Sequence, residues 1–212
     1  MLVKVFVLGL PGSGKSLASR FLMSLLRERG QGTSRFRDYD ILFKTFQQDT
    51  EREKFAAAEH NGFDVIDPNV LDIALQELEK KVNSYMKSIL SHELILIEFA
   101  RDNYRHALNQ FHRDFLRDTY FLFIQANIDT CQSRLRDRVL HPTSLDDHYV
   151  STYTFNTFYR RDDTQYTAAY LKTNYGIDDR RIKIIENNGS LGDLETELEQ
   201  FVKFMLLDLM LK

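Results

Sequence analysis

The chain is 212 residues long, 43% hydrophobic and 28% charged, with only 9 glycines and 3 prolines; this fits one domain with a sizeable core and excludes disordered, collagen-like and repeat-biased classes. A formal charge of -3 gives no global pull toward nucleic acid or anionic lipid, so any polyanion site must be a local cluster of Lys and Arg. The single cysteine, Cys131, excludes an intrachain disulfide framework and a cysteine-based metal cage, and predicts a cytoplasmic protein.

Leu2 to Leu8 reads as a short buried strand closed at once by glycine and proline, too short an apolar start for a signal peptide. Leu17, Ala18, Phe21, Leu22, Leu25 and Leu26 then recur at helical spacing, with Gly30 as the stop signal. A second strand is predicted over Thr33 to Tyr39, a broken helical pattern over Asp40 to Ala58, and a turn at Asn61-Gly62. Pro68 sits beside a long helix, Asn69 to Ser91, whose Leu71, Leu75, Leu78, Val82, Tyr85 and Ile89 share one face.

Leu94 to Phe99 and Tyr120 to Gln125 are continuous apolar strands, with a helix predicted between them over Tyr104 to Arg117. Helices are predicted over Asp129 to Arg138 and Asp162 to Tyr175, and a last strand over Arg181 to Glu186. Ser190 with Asp193 resembles a capping box for a docked terminal helix, Leu191 to Leu211, and no run is long and apolar enough to predict a membrane span. Arg138 to Tyr159 is the least periodic segment. Strands without polar alternation, separated by helices, need apolar cover above and below. They predict a three-layer α/β/α fold with a five-stranded parallel sheet.

Between the first strand and helix lies Gly9-Leu-Pro-Gly-Ser-Gly-Lys15-Ser16, a G-x-x-x-x-G-K-[ST] phosphate loop in its strand-to-helix context. Gly9, Gly12, Ser13 and Gly14 would wrap backbone N–H groups around phosphate oxygens at the positive end of the helix, with Pro11, which has no N–H, shaping the nucleotide-binding loop. Lys15 would reach the β and γ phosphates of ATP, and the Ser16 hydroxyl would ligate Mg²⁺. No Asn-Lys-x-Asp guanine-specificity segment follows a strand.

Arg134 and Arg138 lie four apart on one predicted helical face, with Arg136 on another. Arg160, Arg161, Asp162 and Asp163 follow after a 22-position excursion from Arg138, of the kind that makes a lid. The aromatic stretch Tyr149, Tyr153, Phe155, Phe158 and Tyr159 reads either as a surface that stacks on a base or as packing of a lid helix. The six histidines show no metal-ligand spacing.

In these segments the chain resembles the nucleoside-monophosphate kinases, the adenylate kinase type in particular, over most of its length. The resemblance implies the P-loop NTPase fold with an inserted lid at about 139–160 and an acceptor-binding insertion at about 38–68. It implies that Arg134 and Arg138 flank the base and phosphates of ATP, that Arg160 grips the transferring phosphate, and that Arg101 in Glu98-Phe-Ala-Arg101 holds the acceptor's phosphate. It also implies that Asn188, in Asn187-Asn188-Gly189, lies in the turn beside the donor base, and that Gly62 to Pro68 ends the acceptor region. The acceptor segment departs from the family pattern: Arg37 to Lys44 has no arginine at its end, and Ile97-Glu98 shifts the acidic residue by one.

Two acceptor classes follow from the chemistry. A nucleoside monophosphate attacks through an ionised oxygen, whereas a hydroxyl-bearing metabolite or nucleoside benefits from a carboxylate base. Asp38, Asp40 and Glu98 are the carboxylate candidates; Asp40 also reads as a helix N-cap, and Glu98 as a holder of Mg²⁺ waters or a partner of Arg101. Asp162 or Asp163 would tie down the lid through ion pairs, which places Asp162 with Asp38, Asp40 and Arg101 on the substrate side. A third class is a switch protein that uses NTP occupancy or hydrolysis. The expected partner is a small-molecule phosphoryl acceptor, without nucleic acid or membrane, on a monomer or homodimer.

Overall fold

The computed structural model describes residues 2–60, 62–89, 92–141, 149–159 and 163–210. Five parallel strands, β1 (Leu2–Leu8), β2 (Gly32–Arg37), β5 (Glu93–Phe99), β6 (Thr119–Gln125) and β7 (Ile182–Glu186), form one sheet in the order β2-β5-β1-β6-β7. A separate antiparallel hairpin joins β3 (Phe55–Ala57) to β4 (Phe63–Val65). The chain crosses to the other side of β1 after β5. This switch point opens a crevice at the carboxyl edge of the sheet, where open α/β folds bind ligands.

Side chains alternate across β1, so Phe6 and Leu8 face one layer while Val3, Val5 and Val7 face the other. The first layer packs helices α3 (Asn69–Ser88), α4 (Tyr104–Leu108), α5 (Arg113–Arg117) and α8 (Thr164–Tyr175) over Ile95, Ile97, Phe121 and Phe123. The second packs α1 (Lys15–Arg27) and α9 (Leu191–Met210) over Leu94, Leu96, Leu122 and Ile124. No described helix is long and apolar enough to cross a membrane. The terminal helix buries Leu194, Leu198, Phe201, Val202 and Met205 in this layer, and Ser190 and Asp193 form its capping box, with Ser190 N donating to Asp193 Oδ2 at 2.9 Å and Asp193 N to Ser190 Oγ at 3.3 Å.

Several boundaries differ from the sequence expectation. Helix α2 spans Asp38–Gln48, so the second strand ends at Arg37 and Asp40 is the third helical residue; the N-cap is Arg37. The predicted broken helix ends there: Asp49 Oδ2 accepts from the N–H of Lys54 and Phe55, both at 2.9 Å, and turns the chain into the hairpin. The helix predicted over 104–117 is two short ones. Glu79 Oε2 accepts from His112 N at 2.8 Å at the break, and Leu108, Phe111, Phe115 and Leu116 all reach the core. Among its described residues the aperiodic segment contains the end of α6 (Ile128–Leu140) and α7 (Thr152–Phe158).

Phe6 stacks on Phe121 with centroids 5.4 Å apart and meets the edges of Phe99, Phe111 and Phe115. Truncating a core aromatic costs its transfer free energy plus a cavity. Phe6→Ala should lower unfolding stability by about 3–5 kcal/mol, measured by urea denaturation, with the far-UV spectrum of the folded state unchanged.

Candidate functional site

The loop leaving β1 is held by four hydrogen bonds, two from outside it and two within it. Gly9 N donates to the Tyr104 hydroxyl at 2.7 Å, Lys15 Nζ donates to Leu10 O at 2.9 Å, Ser13 N to Leu10 O at 3.0 Å, and Asn187 Nδ2 to Ser13 O at 2.8 Å. Gly12 and Gly14 have φ of +82° and +107°, and a Cβ at either would lie 2.3 Å from Cys131 O or Asn187 Nδ2. Only glycine permits both the backbone turn and the close approach. Lys15 is buried beneath the loop, and that burial lowers its pKa to about 8, against the opposing pull of Glu98 and Asp38.

Glu98 is the penultimate residue of β5, beside Val7 of β1. Its Oε1 accepts from Ser16 Oγ at 2.9 Å, and its Oε2 from Ser19 Oγ at 3.0 Å and Arg35 Nε at 2.8 Å, with Arg35 Nη2 at 2.6 Å. A buried carboxylate is tolerable only when paired and hydrogen-bonded, and this one is both. The sequence reading of Glu98 as a partner of Arg101 is corrected: its cation is Arg35. Its contact with the Ser16 hydroxyl leaves it placed to hold a metal ion's water.

A cleft of about 370 Å³ opens between this loop and α2. Asp38, the first residue of α2, lies on its wall and pairs with Arg101 at 2.6 Å. Arg101 also donates to the carbonyls of Leu71 at 2.8 Å and Ala100 at 2.5 Å. Only 6% of each of these two residues is exposed, and Arg101 is absent from the cleft lining. Burial pushes the Asp38 carboxyl above the usual carboxylate range, and the charges of Arg101 and Lys15 pull it part of the way back. Asp40 turns the other way and pairs with Arg37 at 2.5 Å. Tyr39 and Phe63, stacked at 5.8 Å, line the wall beside Asp38, while Tyr149 and Tyr159 complete the cleft. Burial pushes the Tyr159 phenol up to about 12, so it stays protonated.

Arg134 and Arg138 line the cleft together from α6, as their spacing predicts, while Arg136 is exposed. Among the described residues, Arg134 Nη1 and Ser13 Oγ are buried without a hydrogen-bond partner. Unpaired buried donors beside a glycine loop, a lysine and a helix N-terminus are the complement that phosphate oxygens require. The residues present therefore fit a nucleotide's phosphates, and Ser16 with Glu98 fits a magnesium ion beside them. Asn188 is not on the cleft wall: its Oδ1 accepts from Asn127 N at 2.8 Å, and Asn187, Gly189 and Leu191 line the cleft instead. Arg160, Arg161 and Asp162 lie outside the described residues, as do 142–148 of the expected lid. Asp163 accepts from Tyr104 N at 3.0 Å and lies 3.8 Å from Arg105.

Sequence spacing did not mark Arg35, Tyr104 or Asn187 as site residues. A charged residue inside a strand was the available signal for Arg35; Tyr104 carried none.

No family model and no curated protein sequence matches the chain. Among solved structures, an APS kinase of Mycobacterium tuberculosis in complex with AMPPNP and APS is 14% identical, with 96% of each chain covered and a TM-score of 0.54. Kti12 of Chaetomium thermophilum in complex with ADP-AlF3 is also 14% identical, over 94% of this chain and 97% of that one, with a TM-score of 0.55. TT1252 from Thermus thermophilus is 16% identical over 95% and 96%, with a TM-score of 0.50. The shared architecture is the P-loop NTPase α/β fold: a five-stranded parallel sheet with helices on both sides.

The ammonium form of Lys15 attracts phosphate, and that form is lost as pH rises through about 8. Affinity for Mg-AMPPNP, measured by calorimetry, should hold level near neutrality and weaken as pH rises past about 8. Lys15→Ala should abolish this slope together with most of the binding.

Proposed function

We propose that the protein is a phosphotransferase that moves the γ-phosphoryl group of Mg-ATP to a hydroxyl group of a small molecule held between the loop and α2. The observation that carries this reading is the buried Asp38 carboxylate on the cleft wall, within electrostatic reach of Lys15. A hydroxyl acceptor must lose its proton as its oxygen attacks phosphorus, and a carboxylate with a raised pKa is suited to take it. The acceptor's O–H proton passes to Asp38, the new O–P bond forms, the bond from γ-phosphorus to the bridging oxygen breaks, and ADP leaves.

The nucleoside-monophosphate reading needs Arg101 on the acceptor's phosphate. Arg101 instead spends its guanidinium on Asp38 and the Leu71 and Ala100 carbonyls, which favours the hydroxyl acceptor. Lys15, Arg134 and Arg138 supply the positive charge around the transferring group, since phosphoryl transfer is mainly positioning and charge stabilisation. Ser16, with Glu98 behind it, would hold Mg²⁺, which would supply further positive charge to the phosphates.

ADP release with Mg-ATP, measured against a panel of nucleoside monophosphates, nucleosides and hydroxyl-bearing metabolites, tests the reading. Turnover is expected with a hydroxyl acceptor. Asp38→Asn should then lower kcat by about 10²–10⁴-fold while Mg-AMPPNP still binds. Turnover only with a monophosphate, with Arg101→Ala raising its KM, would overturn the assignment of Asp38; hydrolysis unaffected by any acceptor would overturn the transferase reading.

A further inference from the structure

Helix α7 touches both walls of the cleft, and it does so with different chemistry on each side. Phe155, 2% exposed, packs with Leu10 of the phosphate loop and with Cys131 and Leu135 of α6. At the amino end of α7, Ser151 Oγ and Thr154 Oγ1 both donate to one oxygen, Oδ1 of Asp64 in β4, the latter at 2.6 Å. Ser151 Oγ also accepts from Thr154 N at 2.9 Å, so the atom that caps α7 is the atom that fastens it to the hairpin. Just before the helix, Tyr149 packs on Gly62, where a Cβ would come within 2.9 Å of its ring. Phe63 and Val65, either side of Asp64, line the cleft.

We infer that Asp64 is a positioning residue that couples the phosphate loop to the acceptor-side hairpin through α7. A shift of the loop or α6 moves Phe155, and a seven-residue helix held at its first turn by two hydroxyl bonds transmits that shift to β4. Phe63 and Val65 thereby take their places on the acceptor wall in step with the donor site. By linkage the coupling is reciprocal: whatever orders the hairpin also favours nucleotide in the loop. The inference rests on the nucleotide reading of the loop and on no particular acceptor. Because both hydroxyls meet a single oxygen, an asparagine at position 64 keeps both bonds, while alanine loses both.

Hydrogen exchange with and without Mg-AMPPNP, alongside calorimetric binding, tests the coupling. In the wild type, nucleotide is expected to slow amide exchange across 55–65. Asp64→Ala should bind Mg-AMPPNP more weakly than the wild type, as reciprocity requires, and lose that protection at saturating nucleotide, Asp64→Asn should retain both, and Thr154→Val should retain part of each. Undiminished protection in Asp64→Ala would overturn the coupling, as would nucleotide binding to the wild type without hairpin protection. Loss in Asp64→Asn equal to that in Asp64→Ala would overturn the hydrogen-bond account. Failure of the wild type to bind Mg-AMPPNP would instead overturn the nucleotide reading, and the coupling with it.

Discussion

A carboxylate buried at the carboxyl end of the central sheet constrains everything around it. Glu98 takes hydrogen bonds from Ser16 and Ser19 of α1 and a charged bond from Arg35 of β2. Removing Arg35 would strand that charge in a medium where an unpaired ion costs several kcal/mol, and removing either serine hydroxyl would cost a hydrogen bond, so the phosphate loop, its helix and the edge strand are held as one unit. The loop's own shape depends on that frame. At the entry to α1, Gly12 and Gly14 approach Cys131 and Asn187 so closely that a Cβ at either would lie 2.3 Å from them.

The opposite wall repeats the arrangement with different partners. Asp38 and Arg101 neutralise each other, and Arg101 goes on to donate to the Leu71 carbonyl in the first turn of α3. The two carboxylates share Lys15 between them electrostatically, which is why a lysine driven down by burial still keeps its charge near neutrality. The cleft is therefore balanced in charge on its α2 wall, while buried donors such as Arg134 Nη1, without a hydrogen-bond partner among the described residues, lie on the wall of the glycine loop and α6. The charge of the triphosphate in the proposed reaction would fall on that second wall.

Local features were readable from sequence, whereas pairings across space were not. The phosphate loop is legible because glycine, lysine and serine act within eight consecutive residues. The apolar strands are legible because a sheet covered on both faces leaves no polar alternation. Arg134 and Arg138 reach the cleft together because helical spacing decides it. Arg101 matched a motif, yet its side chain is claimed by Asp38, 63 positions away, and spacing is silent about that choice. Asp38 and Asp40 looked alike in sequence. A helix starting two residues earlier than expected turned one onto the cleft and the other onto Arg37. The hairpin escaped notice because β3 is only three residues long, too short for a period to show.

Cys131 has a use beyond its packing. It is the only thiol in the chain, wholly buried, with its carbonyl against Gly12 and its side chain in the seam with Leu10 and Phe155. A thiol reagent can reach it only when that seam parts. The rate at which the native protein is alkylated is thus a built-in clock for opening beneath the phosphate loop, requiring no introduced label.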